Sequence, residues 1–398
     1  MNGKWRVALV AVGIAATLAT VAAQAGYGKS DASTVKVGII TDVTGLNADF
    51  GAEYLRGLRI GLKYATHGTN KVNGHKIQLT IKDEGGVPAT GVTEAKDLIG
   101  QGYKILAGPA TSGVSLAIAP IAAQNKVLFI SGPAASDALT GLNRYTFRSG
   151  RQTTQDVLDI QDILGKRSAG KKILVFAQDS AFGNGNVAAV NAILGTKGHT
   201  ISKVLVPLSA SDFTPYVVQA KNAHPDLLFV AWAGDTAVAM WKTFQQQGVL
   251  KSIKKGGLLV ATGLANQATW PFYVPGITFL SHYVYNAPSK KNKVNNYLRA
   301  HVKGHKPDIF DPDGFVAAQM IVRAVQRSGG DNVDKMITGL EGWKFNAPKG
   351  RQQIRKADHA MLQPMFSVKL KFKGKKITPI PQKTFAAGSV APPVKPFS

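Results

Sequence analysis

The chain has 398 residues, of which 44% are hydrophobic, a formal net charge of +25 and no cysteine. That length accommodates two domains with sizeable cores, and the lack of cysteine excludes disulfides, thiolate metal sites, a cysteine nucleophile and the acceptor of a lipoprotein. The positive charge is scattered, or alternates with apolar residues as in "SVKLKFKGKK" (Ser367 to Lys376), and no nucleic-acid motif accompanies it, so nucleic acid is not the expected partner.

At the N-terminus Lys4 and Arg6 precede the apolar run "VALVAVGIAATLATVAA", which leads into Ala23-Gln24-Ala25. A charged start, a short apolar run and an A-x-A pattern predict a secretory signal peptide over 1–25, cut after Ala25, rather than a membrane anchor. The mature protein is expected to be periplasmic and monomeric.

From residue 34 short apolar runs alternate with helical patterns. "VKVGIITDV", "KIQLTIKDE", "YKILAG" and "KVLFISG" read as strands, while "YLRGLRIGLKYA" and "VTEAKDLIGQ" carry apolar residues three and four apart. The cycle restarts with "KKILVFAQD", "ISKVLVPL", "DLLFVAWAG" and "GGLLVATG". Parallel strands need crossover helices, so the pattern predicts two α/β units, each a mostly parallel sheet flanked by helices. The strand ends are rich in small and hydroxyl residues: "TDVTG", "GPATSG", "SGPAAS", "AWAGD" and "ATGLAN". Ligands of such sheets bind beyond the carboxyl ends of the strands, where small side chains admit the backbone and helix starts supply free N–H donors. A cleft between two lobes is therefore expected.

Several motifs lack the partners their chemistry needs. "GPATSGVS" has no Lys after Gly113 and is not a phosphate loop. "GNGNVA" (Gly183 to Ala188) satisfies G-x-G-x-x-A, but it stands away from its strand and Lys203 occupies the place of the ribose acid. His301 and His305 have no glutamate between them, and "DPDG" (Asp311 to Gly314) lacks the later Glu of a calcium loop; Pro312 predicts a turn opening a helix at Phe315. No G-x-S-x-G elbow occurs, Ser112 has no locatable base, and His359 in "DHAMLQPMF" reads as structural. No cofactor, metal or enzymatic activity is expected.

The segments "VKVGIITDVTGLNADFGAEYLRGLRIGL", "GHKIQLTIKDEGGVPATGVTEAKDLI", "ILAGPATSGVSLAIAPIAAQNKVLFISGPAAS", "FAQDSAFGNG", "DFTPYVVQAKNAHPDLLFVAW" and "GFVAAQMIVRAVQRSGG" resemble, in consistent order from Val35 to Pro379, the periplasmic binding proteins of branched-chain amino acid ABC transporters. The resemblance implies a two-lobed type I fold with a multi-strand hinge, closing on a small carboxylate-bearing solute, an amino acid of branched-chain or similar type, and delivering it to an ABC permease. It places lobe one over 34–148 plus 288–345, lobe two over 149–287 plus 346–380, and a tail over 381–398, with hinge crossings near Arg148, Tyr285 and Asn346. By the same resemblance Ser112 would hold a carboxylate, Ala134 and Ser136 would line the pocket, and Phe50 and Phe182 would cap it. Lobe two would add Ala233 or Trp232 and Thr262. Amino-acid binders carry an acid in the loop where this chain has Thr262, so either Asp42, Asp235 or Asp179 pairs the ammonium or the solute has no amine. An exported enzyme or a sensor on the same scaffold remains an alternative reading.

Overall fold

The computed structural model describes residues 34–165, 168–251, 259–262, 266–273 and 278–397. The expected signal peptide with its cleavage site lies outside the described residues, as does the Thr262 side chain.

The first sheet is built from β1 (Val35–Thr41), β2 (Lys71–Val72), β3 (His75–Asp83), β4 (Ile105–Ala107), β5 (Leu128–Ser131) and β6 (Thr146–Arg148), in the order β2-β3-β1-β4-β5-β6. β1 pairs in parallel with β3, Val35 opposite Ile77 through Thr41 opposite Asp83, and on its other edge with β4. Only Lys36 of β1 is exposed, the near-continuous apolar run required of a strand covered on both faces. Helices α2 (Pro88–Gly100) and α3 (Ser112–Gln124) cover one face. The other is covered by α1 (Ala48–Ala65), α9 (Asp311–Ser328) and α10 (Val333–Leu340), preceded in sequence by α8 (Lys293–His301). α1 and α9 cross closely because Gly57 and Gly314 lie at the contact: a Cβ on Gly57 would sit 1.9 Å from the Asp311 carbonyl oxygen, and one on Gly314 2.0 Å from that of Tyr54. α9 starts at Asp311, earlier than the expected start at Phe315. Proline lacks the N–H that a first-turn residue has no use for, so Pro312 belongs inside that turn and "DPDG" is helix.

The second parallel sheet has the order β10-β9-β7-β8, from β7 (Lys172–Gln178), β8 (Thr200–Val206), β9 (Leu227–Ala231) and β10 (Leu259–Thr262). α4 (Thr153–Leu164) and α5 (Ala181–Ile193) pack on one face, α6 (Thr214–Asn222) and α7 (Ala237–Gln246) on the other. An antiparallel sheet, β11 (Thr278–Ser281), β15 (Met365–Lys373) and β16 (Lys376–Phe385), shares the second core through Phe279, Phe366 and Val368. "SVKLKFKGKK" is the expected half-buried strand, Val368 and Leu370 inward and Lys371 and Lys373 outward, continued by a hairpin at Gly374.

A further small sheet, β12 (Lys344–Ala347), β13 (Gly350–Ile354) and β14 (Met361–Leu362), packs Ala347, Ile354 and Met361 into the first core. Residues 346–362, expected in lobe two, thus join the first half, and the chain passes to the second half between Leu362 and Met365 rather than near Asn346. The other two passages fall between β6 and α4 and between β11 and α8. The segment after β16 is anchored at two points: Val390 joins Met365, Phe385 and Leu158, and Arg355 donates to the carbonyls of Pro392 and Pro393.

Candidate functional site

A cavity of about 440 Å³ lies between the carboxyl ends of the two parallel sheets. The first half contributes the loops after β1, β3, β4 and β5, the second those after β7, β8 and β9; Arg151 enters from the passage after β6 and Phe310 from the start of α9. The halves touch beside it. The Asp235 N–H donates to the Leu46 carbonyl at 2.8 Å, and the Gln267 N–H to Asp308 Oδ2 at 2.9 Å.

Two helix starts face this space. Thr111 caps α3, its Oγ1 accepting from the Val114 N–H, and Ser180 caps α5, its Oγ accepting from the Gly183 N–H. Ser112, Gly113, Ala181 and Phe182 line the cavity. As the first two residues of their helices, each pair has N–H groups with no intrahelical acceptor, at the positive end of the helix dipole. The walls are aromatic. Phe50 and Phe310 meet edge to face with centroids 4.7 Å apart, and Phe182 and Ala233 complete the cluster. The Phe310 N–H is held by Glu53 Oε2 at 3.0 Å, a carboxyl that burial, Asp308 and Asp311 push well above the usual range.

Among the described residues Arg151 is the only ionisable one lining the cavity. It is 1% exposed, and its Nε donates to Asp156 Oδ2 at 3.0 Å, while Nη1 and Nη2 are buried without a partner. Burial pushes the Asp156 carboxyl up even beside Arg151. Arg148 is a positioning residue: its Nη2 donates to the carbonyls of Ala134 and Arg151 and its Nη1 to that of Ser136, fixing the 133–136 loop against the passage.

Of the sequence-derived candidates, Ser112, Phe50, Phe182 and Ala233 line the cavity. Ser112 Oγ accepts from the Ser136 N–H at 3.2 Å. Ala134 and Ser136 do not line it; their neighbours Pro133 and Ala135 do. Trp232 points into the second core, stacked on Phe176 and donating to Thr236 Oγ1. The proposed ammonium partners are elsewhere: Asp42 accepts from the Gly45 and Asn47 N–H groups, Asp179 from Asn184, and Asp235 is exposed. Arg151 and Phe310 were not anticipated. Neither carries a periodic or motif signal in the local sequence.

The rejected motifs have structural explanations. Gly183 lets α5 approach β7, a Cβ there lying 1.8 Å from the Gln178 carbonyl oxygen. His301 stacks on Tyr297, and His359 is buried, stacked on Phe147 with Nδ1 at 3.0 Å from the Thr146 carbonyl. Among the described residues no cluster of His, Asp or Glu could hold a metal ion.

Glu84 lies behind the cavity wall, wholly buried, Oε2 accepting from the Gly86 N–H. Burial, then Asp42, pushes its pKa from 4.5 up to about 7. Between those values the folded chain holds a proton that the unfolded chain has lost, so this group makes stability fall as pH rises from about 4.5 to about 7. Glu84→Gln is expected to lessen the difference in urea midpoint between pH 5 and pH 8; an unchanged difference would mean that Glu84 is ionised in the folded protein.

The family model for periplasmic binding proteins matches residues 34–376. Leu/Ile/Val-binding protein homolog 3 of Brucella melitensis is 24% identical over 317 residues, covering 77% of this chain and 83% of that protein. An ABC-type branched-chain amino acid transporter from Rhodopseudomonas palustris CGA009 superposes with a TM-score of 0.73 at 30% identity, covering 92% of this chain and all of that one. A solute binding protein of an ABC transporter from Rhodopseudomonas palustris BisB5, solved with 3,4-dihydroxybenzoic acid, gives a TM-score of 0.76 at 25% identity and covers 89% of this chain and 98% of that one.

Proposed function

We infer, because the chain belongs to the type I periplasmic binding proteins of branched-chain amino acid ABC transporters, that this solute-binding protein captures a small amine-free carboxylate in the periplasm and delivers it to a membrane permease without altering it. One observation carries the choice of solute. Among the described residues the cavity is lined by a single ionisable group, Arg151, whose two terminal nitrogens have no partner, and by no carboxylate. The helix starts on either side add positive dipole ends. An anion gains charge-assisted hydrogen bonds from all of these. An ammonium would be desolvated beside a guanidinium, which costs several kcal/mol without an acid partner. The aromatic walls and the bound dihydroxybenzoate of the BisB5 relative favour an aryl or branched aliphatic acid.

Function follows from closure. The solute contacts α3 and Arg151 on one side and α5 on the other, so it binds fully only when the halves meet and shifts the hinge equilibrium toward that state. The names of the Brucella and CGA009 relatives favour an amino acid instead. A thermal-shift comparison of benzoate, 4-methylpentanoate and leucine separates the two. At about a hundred times Kd a ligand adds roughly 2.7 kcal/mol, enough to raise Tm by several degrees. Stabilisation by an amine-free acid and not by leucine is expected; a shift with leucine alone would return the protein to amino-acid capture.

A further inference from the structure

A second cavity, of about 730 Å³, opens at the hinge. Pro288 of the passage between β11 and α8 and Pro364 of the passage into β15 both line it, so it touches two of the chain segments that bend when the halves move. Among the described residues its charged lining is Lys291, Lys293, Lys349 and Arg351, with no Asp or Glu. Lys291, Lys293 and Arg351 are exposed and take part in no ion pair among the described residues. Lys349 is buried, its Nζ at 2.6 Å from Asp313 Oδ1 and 2.7 Å from Gln363 Oε1. Cations gathered around a concavity with low-dielectric walls focus a positive potential into it. The start of α8, with Asn292 as its cap, adds the positive end of a helix dipole.

We propose that this hinge cavity is a second ligand site, for a multivalent oxyanion of phosphate or polycarboxylate type. Lys291, Lys293 and Arg351 supply its contacts, and the volume suits an anion larger than a monatomic ion. The site does not depend on which solute fills the cleft. Its position couples it to closure: an anion that touches both passages favours one hinge angle, and whatever it does to affinity in the cleft, the cleft solute does to it in return. Asp313 is the physical link. Its Oδ1 meets Lys349, while a Cβ on Gly150, the residue before Arg151, would stand 2.6 Å from its Oδ2.

Isothermal titration of the mature chain with inorganic pyrophosphate and with citrate, at ionic strength matched by sodium chloride, tests the site directly. The expected result is one submillimolar site for at least one of them, the stronger probe distinguishing phosphoryl from carboxylate geometry. The variant Lys291→Gln/Lys293→Gln/Arg351→Gln should weaken it at least tenfold, whereas Lys104→Gln/Lys126→Gln/Lys303→Gln, which removes the same charge elsewhere, should leave it intact. No binding of either anion, or equal weakening by both variants, would overturn the proposal. X-ray scattering reads the coupling: the saturating anion is expected to change the radius of gyration, and an unchanged value would overturn the link to closure while the titration decides the site.

Discussion

Replacing Arg151 with Met is expected to weaken the binding of an amine-free carboxylate by about a hundredfold or more. Two charge-assisted hydrogen bonds to a desolvated carboxylate disappear, and truncating one partner of such a pair costs about 2–5 kcal/mol. The substitution also strips Asp156 of the Arg151 Nε donor, leaving a buried carboxyl that burial already pushes up. A loss of binding could then be read as a loss of folding. The variant Arg151→Met/Asp156→Asn removes that ambiguity, because neither group is left charged and alone. It should retain the parent's unfolding transition more closely than the single variant and still bind the carboxylate at least a hundredfold more weakly, by fluorescence titration with benzoate. Undiminished binding in the double variant would move the anchor to the starts of α3 and α5 and deprive Arg151 of its role.

Much of this architecture is written locally. β1, β7 and β9 are short, near-continuous apolar runs that read as buried parallel strands, and the loops after them carry the small residues that a cleft needs. What local pattern does not carry is parity and destination. Consecutive residues in extended chain point to opposite sides, so a likeness that locates a loop to within one residue can select the wrong face. Ala134 and Ser136 were expected at the pocket, yet Arg148 gathers their carbonyls and turns Pro133 and Ala135 toward the cavity. Trp232 and Ala233 divide in the same way, one to the core and one to the site. Arg151 escaped because a lone arginine in "SGRQTT" has no period and no motif. It becomes a site residue only when the passage after β6 carries it between the two sheets. The segment "KFNAPKGRQQI" shows its strands by alternation but not the core they will join, which is why the third passage was expected near Asn346 and lies between Leu362 and Met365.

The largest loss of stability is expected at the hinge, where Lys349→Met breaks a wholly buried ion pair. Lys349 and Asp313 are both 0% exposed in their side chains, and Nζ also satisfies Gln363 Oε1. Burial pushes the two groups in opposite directions, lowering the Lys349 pKa and raising that of Asp313, and each holds the other partly back. Removing the amine leaves a carboxylate in the interior, a change that costs about 3–5 kcal/mol and should lower Tm by roughly 4–7 °C at neutral pH. The sign of the pH dependence identifies the cause. With the amine gone and the His282 ring left beside it, Nε2 at 3.7 Å from Oδ2, Asp313 in the folded chain keeps a proton to higher pH than it does unfolded, so the deficit of the variant is largest at neutral pH and shrinks as pH falls toward the ordinary carboxyl pKa of about 3.9. Lys349→Met/Asp313→Asn removes the buried charge and should recover a large part of the loss at pH 7. A deficit that is independent of pH and is not rescued by Asp313→Asn would assign the damage to lost packing and the broken bond to Gln363, and would separate the hinge network from the electrostatics that connect it to Arg151.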